Sequence, residues 1–350
     1  MSIYWLFYAL VSIFSLKFIK FEINLSKLLN FIFLIILALF IGLRYEVGGD
    51  WDIYKNDFYE NISSFNLLKF DYVRDFGYEF ISYLIFNLEF EIYILNLILA
   101  FLFVYSLNKF SINFSDNYWI IFVIAFPYLV TVGAMGFVRQ AAAFSFILLS
   151  LCYYQKKDVI KFLILFLGAL LFHKSAAILL PFLLISNLKL NIKFNLIILI
   201  LIILAYIIIS PEITRISSYV SESSKYASSG VIPRIVLNIL PGLIFLLFFK
   251  KLRFKNNIDT VIILITLFQI FLLYFINNNT STFIDRLIIN FYFIQLLVLS
   301  RLYLILPSYK NVINILIIIF YGLIYYIWME YSLHSYAWTP YKNIIFEILK

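Results

Sequence analysis

The chain has 350 residues, of which 64% are hydrophobic and only 13% charged, with 27 Lys and Arg against 19 Asp and Glu for a formal charge of +8. Soluble globular domains are about a quarter charged, so this composition excludes a water-soluble fold. Nucleic acid is excluded as a partner too, because the cations fall in short breaks between apolar runs rather than along one basic stripe. Cys152 is the single cysteine and sits inside an apolar run, which leaves neither a disulfide framework nor a thiolate metal site.

Apolar windows bounded by charges or by Asn, Pro and Ser clusters predict an all-α, polytopic membrane protein with about 12 transmembrane helices in one integral membrane domain, residues 1–350. In chain order the expected spans are 3–18, 28–43, 92–107, 118–135, 137–154 and 159–172, then 176–188, 194–210, 235–249, 261–276, 287–306 and 312–329. Several fall short of the roughly 20 residues a bilayer needs. No small-residue cleavage site follows the first window, so it is expected to be a retained span.

Orientation follows from the cations. Placing Lys17, Lys20 and Lys27 on the cytoplasmic side also puts Lys109, Lys156, Lys157, Lys161, Lys189, Lys193, Lys250, Lys251, Arg253, Lys255, Arg301 and Lys310 there. Only Glu22, Asp116, Asp158 and Asp259 accompany them, in agreement with the positive-inside rule. Both termini then lie outside, as do the long segments 45–90 and 211–233, residues 277–286 and the tail after Glu330. Chemistry is therefore expected on the outer face.

Five outer clusters carry candidate residues. Arg44 ends the second span and leads into Gly48, Gly49, Asp50, Trp51, Asp52 and Tyr54, a tight turn able to present backbone N–H groups and charges. An ordinary reading is also open: Arg44 snorkels to head groups and the aspartates are solvated or cap a helix. Farther on, Asp71, Arg74, Asp75 and Glu79 precede residues 80–88, too short to span and expected to form a re-entrant or interfacial helix. Arg139 and Gln140 follow a nearly loopless turn, where a cation at membrane depth needs a partner. His173, Lys174 and Ser175 form a similar turn, with His173 able to move a proton near neutral pH or simply to cap a helix. Arg215 and the serine-rich run up to Gly230 precede Arg234, and Asn277, Asn278 and Asn279 precede Asp285 and Arg286. His334, among Tyr331, Tyr336 and Trp338, reads as part of an interfacial aromatic belt. Arg44, Arg139, Arg234 and Arg286 thus all lie at helix ends on one face. Guanidinium pairs with phosphate oxygens bidentately, so a phospholipid-like anion converging on these four is the expected ligand.

In order and sidedness, Arg44 to Gly48, Asp50 and Tyr54, then Arg139 with Gln140, His173 with Ser175, and Arg286 resemble the EpsG family of exopolysaccharide and O-antigen polymerases, grouped with Wzy-type enzymes. The resemblance implies a polymerase architecture of the GT-C-like kind. It implies a glycosyltransferase that moves a growing glycan from an undecaprenyl-diphosphate carrier to the next carrier-linked repeat unit, at the outer, periplasmic or exterior face of the cytoplasmic (inner) membrane. No cofactor and no metal are implied. Its partners are the lipid-linked donor and acceptor oligosaccharides and membrane lipid, with a chain-length regulator as the protein partner that fits. On this resemblance Arg139 and Arg286 hold the diphosphate, Arg44 and Arg234 assist, and His173 is the acceptor's base. Asp50, Asp52 and Asp285 would meet sugar hydroxyls or the arginines, with Tyr54, Gln140 and Trp51 lining the sugar site.

The rivals differ in where charge should lie. A flippase of the same lipid needs cations through the depth of a cavity, and the expected spans hold almost none. A membrane acyltransferase needs an acid near a deep histidine, and residues 173–178 offer none. An O-antigen ligase shares the chemistry and stays open as the alternative.

Overall fold

The structure is a computed structural model that describes residues 2–16, 23–62, 75–187, 228, 230–254, 257–277 and 279–348. The expected span 194–210, Asp71, Arg74, Arg215 and most of the serine-rich run lie outside these residues. The elements are helical and no strand occurs among the described residues. In chain order they are α1 Ser2–Leu16, α2 Ile23–Gly42, α3 Trp51–Asn56, α4 Phe76–Asn87, α5 Ile92–Phe114, α6 Tyr118–Ala125, α7 Val138–Gln155, α8 Val159–Phe172 and α9 Leu179–Asn187. Then come α10 Val231–Leu247, α11 Phe249–Leu252, α12 Ile258–Leu273, α13 Ser281–Ile288, α14 Phe293–Leu299, α15 Lys310–Tyr331 and α16 Ile344–Ile348.

Leu316, Ile319, Leu323 and Ile327 on α15, and Ile160, Ile164, Leu167 and Leu171 on α8, recur at helical spacing and are all exposed. Stripes this apolar belong against acyl chains, so the chain is a membrane protein. Leu25–Gly42, Ile92–Phe114 and Pro307–Tyr331 are long and apolar enough to cross a bilayer, and the pair Ser281–Phe291 and Phe293–Leu304, bent by 43°, makes a fourth if it is one span. The expectation of about 12 spans therefore depends on shorter apolar helices of 10–17 residues, such as Val159–Phe172, crossing as well. Helix α4, at 12 residues, is about 18 Å long and too short to span.

Contacts group the chain into two compact units. The first contains α1–α6, the start of α7 up to Ser145, and everything from Ser308 onward. In it α2 runs along α5, while α1 packs against α6 and α15. Helix α6 continues as a π-helical stretch, Phe126–Ala134, that opens with Pro127; a proline without an N–H interrupts the regular ladder there. The tail after α15 folds back on the loop after α2: Tyr45 N–H donates to Lys342 O, Ile344 N–H to Leu43 O and Gly48 N–H to Ala337 O.

The second unit runs from Phe146 to Pro307 and includes Asp71–Asp75. Helix α10 packs against α12, α13 and α14 around Val231, Ile235, Ile239, Leu272, Ile284 and Ile288. Helix α13 starts at Ser281, six residues before the expected span at Leu287. After it a 3-10 turn, Ile289–Phe291, bends the chain where the buried Asn290 side chain donates back to the carbonyls of Arg286 and Leu287. Side-chain donors that compete for backbone acceptors commonly bend helices in this way.

Candidate functional site

In the first unit Arg44 is 1% exposed. Its Nε donates to Val47 O at 3.1 Å, one terminal nitrogen to Ile41 O at 2.9 Å and the other to Asn96 Oδ1 at 3.4 Å, and the guanidinium lies 5.6 Å from the Trp51 ring. Burial pushes its pKa down to about 10, against the opposing pull of Tyr78 and Tyr54, so it remains a cation at neutral pH. These bonds close the loop 44–49 on itself. The structure thus gives Arg44 a loop-holding role in place of the head-group contact of the ordinary reading.

Gly48 makes that loop possible. Its φ is +114°, a conformation L side chains rarely adopt, and a Cβ there would lie 2.4 Å from Met135 O. One turn of chain later, Gly136 lets the Trp338 ring in, since a Cβ on Gly136 would meet that ring at 2.7 Å. Trp338, 3% exposed, donates from Nε1 to Thr131 O at 2.7 Å, and its own carbonyl accepts from the Tyr4 hydroxyl. The tail is therefore part of the site's frame, while His334 is exposed.

The loop delivers α3, which buries Trp51 and Tyr54 and exposes Asp52. Asp50 stands at the N-cap position without a side-chain cap bond, and its charge is felt by Tyr54. Arg139, half-buried at the start of α7, has its guanidinium 5.5 Å from the Tyr54 ring and 5.9 Å from the Tyr78 ring of α4. It also hydrogen-bonds the Tyr54 hydroxyl. Burial raises the pKa values of Tyr54 and Tyr78, with Arg139 pulling the other way, so both phenols stay protonated. Beside them, Gln140 Nε2 and the Tyr78 hydroxyl are buried and have no hydrogen-bond partner among the described residues. Buried donors without acceptors are uncommon in folded proteins and ask for an explanation. Here three neighbouring residues, Arg139, Gln140 and Tyr78, present donors suited to an oxygen-rich anion. Asp52 is not in this group.

In the second unit Arg234 and Asp285, expected as separate contacts, are bonded to each other at 2.9 Å with side-chain exposures of 20% and 14%. Ser228 ties them together: its hydroxyl donates to Asp285 Oδ2 at 2.9 Å and accepts from Arg234 at 2.8 Å, while its N–H donates to Ser281 Oγ. Arg234 also donates to Gly230 O. This pair fastens the entry to α10 onto α13. Arg286, the next residue, is exposed.

His173 ends α8 and starts a 3-10 turn, Lys174–Ile178, as its N-cap. Its Nδ1 accepts from the Ser175 N–H at 3.3 Å and lies 2.7 Å from Ser175 Oγ. Asn290 Nδ2 in turn donates to Ser175 Oγ at 3.0 Å, and to the carbonyls of Ser175, Arg286 and Leu287. The histidine turn is thereby joined to the helix that carries Asp285 and Arg286.

The first unit thus gathers Arg44, Asp50, Tyr54, Arg139 and Gln140, and the second gathers His173, Arg234, Asp285 and Arg286. Tyr78, Trp338 and Asn290 were not among the sequence candidates. Asn290, four residues after Arg286 and so on the same helical face, was the one with a readable signal. Among the described residues no group of three His, Cys, Asp or Glu is placed to hold a metal ion. No curated protein and no solved structure matches the chain. The profile of the EpsG family matches residues 27–343, which include every site residue named above. By that match over most of its length, the chain belongs to the EpsG family of Wzy-type polymerases.

Proposed function

We propose that this membrane protein is a polysaccharide polymerase that joins undecaprenyl-diphosphate-linked oligosaccharide repeat units at the outer face of the cytoplasmic membrane, in O-antigen or exopolysaccharide synthesis. Family membership supports a polymerase- or glycosyltransferase-like activity. The observation that carries the donor assignment is the Arg139 cluster, where a partly desolvated guanidinium sits beside two buried donors, Gln140 Nε2 and the Tyr78 hydroxyl, that lack acceptors. A diphosphate offers the oxygens that such a set would satisfy.

In the reaction, an acceptor hydroxyl oxygen bonds to the anomeric carbon of the donor glycan as the bond from that carbon to the diphosphate oxygen breaks. The electron pair leaves with the diphosphate, and the hydroxyl proton balances the new charge there. Because the leaving group is already good, catalysis reduces to holding two lipid-linked substrates and stabilising departing charge. Arg139 and Arg286 serve the diphosphate, and Asp50 meets sugar hydroxyls. Arg44 and the Arg234–Asp285 pair hold the loops that carry these groups. Cations at helix ends, with Lys-rich breaks opposite, favour a site on the outer face.

A deletion strain tests this directly. Its surface glycan, run on a gel, should lose long ladders and keep a single capped repeat. Complete loss of glycan with lipid-linked units accumulating inside would favour translocation. Ladders unchanged in length, with attachment to the final acceptor lost, would favour a ligase. Arg139→Ala and Arg286→Ala, each expressed at the normal level, should both abolish extension.

A further inference from the structure

Within the reading just proposed, we infer that His173 works as a hydrogen-bond donor to a phosphate oxygen, through Nε2–H, and not as the base that deprotonates the acceptor. The argument rests on what occupies Nδ1. The backbone N–H of Ser175 can only donate, and it points at Nδ1. Nδ1 must therefore present its lone pair. Asn290 reinforces the same state, because its Nδ2 rests on the carbonyls of Ser175, Arg286 and Leu287, which fixes that end of the amide as the nitrogen. Since this nitrogen donates to Ser175 Oγ, the hydroxyl hydrogen of Ser175 is directed at His173 Nδ1, 2.7 Å away. Two donors thus converge on one ring nitrogen.

A neutral imidazole has one N–H and one lone pair, and the partner of one nitrogen sets the state of the other. With Nδ1 accepting, the proton resides on Nε2. A base acting through Nε2 would need the opposite tautomer, with Nδ1–H facing the Ser175 N–H, and Nδ1 itself is already covered by Ser175. The ring is built to give a hydrogen bond. The group it suits is a phosphoryl oxygen of the departing diphosphate, because Asn290 fastens this turn to the helix that carries Arg286. Ser175 and Asn290 are then positioning residues that hold the tautomer. The acceptor proton leaves with the diphosphate, so the step balances without a protein base.

The chain has two histidines. In a His334→Gln background, 15N-histidine-labelled protein in lipid nanodiscs reports His173 alone, with no substrate and no activity required. The expected spectrum at neutral pH shows Nε2 protonated and Nδ1 bare; a neutral ring with its proton on Nδ1 would overturn the inference. Activity gives a second arm. Glutamine places an N–H at about the reach of Nε2, so His173→Gln should keep chain extension within about tenfold of the parent, while His173→Ala should lose about 10²-fold, the usual cost of one charge-stabilising donor. Equal loss in both, in normally expressed protein with the parent's thermal midpoint, would overturn it. If the protein proves not to extend glycans at all, the polymerase reading fails on that count while the tautomer measurement still decides the state of the ring.

Discussion

Gly48→Ala is the sharpest perturbation of the loop that delivers α3. The new methyl would sit 2.4 Å from Met135 O, where ordinary contact begins near 3.4 Å, and it would hold a φ of +114°. Keeping the loop in place would cost about 1–3 kcal/mol in backbone strain and a similar amount in overpacking. Moving it relieves both, at a displacement of about 1 Å. That movement is not isolated, because Gly48 donates to Ala337 O at 2.8 Å and accepts from the Trp51 N–H that opens α3, the helix carrying Tyr54 to Arg139. A misplacement of about 1 Å at a reacting centre costs on the order of 10²-fold in rate. Gly49→Ala is the control, since its added Cβ would meet the Trp338 ring at an ordinary 3.5 Å. In membranes with matched expression, gel analysis of lipid-linked glycan should show extension reduced about 10²-fold by Gly48→Ala and near normal for Gly49→Ala. Equal, undiminished extension in both variants would refute the reasoning.

Other consequences follow from the same geometry. Arg139→Lys keeps the charge but loses the planar fork over Tyr54 and Tyr78; extension should fall on the order of 10²-fold, and a lysine variant with normal ladders would count against a bidentate diphosphate contact. Arg234→Gln and Asp285→Asn should be strongly non-additive in thermal unfolding of the purified protein, with a coupling of about 1–3 kcal/mol, because each removes the same bond; simple additivity would exclude the ion pair. Trp338→Ala empties a buried site and removes the bond to Thr131 O, and should destabilise the protein by about 3–5 kcal/mol; an unchanged unfolding midpoint would show that the tail does not pack on Gly136.

Much of the helical layout was readable because apolar windows and charged breaks are local properties. The turns at Arg139 and His173 were readable for the same reason, as ionisable groups between two apolar runs. Other features were not local. The burial of Arg44 depends on Asn96, 52 positions away, and on the chain turning back at Val47. Trp338 looked like one more interfacial aromatic, yet its indole reaches Thr131 across 207 positions. Helix α13 began earlier than expected because Thr282, Asp285 and Arg286 lower its hydropathy while leaving its helical propensity intact. The Arg234–Asp285 bond was also hidden, since two outer-face residues far apart in sequence carry no sign of touching each other.

The central claim is that a diphosphate-activated glycan is consumed here. Purified protein in nanodiscs, given one defined polyprenyl-diphosphate-linked repeat unit, should release one polyprenyl diphosphate for each new glycosidic linkage, and Arg139→Ala should slow both equally. Linkages formed without that release, or movement of the donor across the bilayer with no linkage formed, would contradict the account.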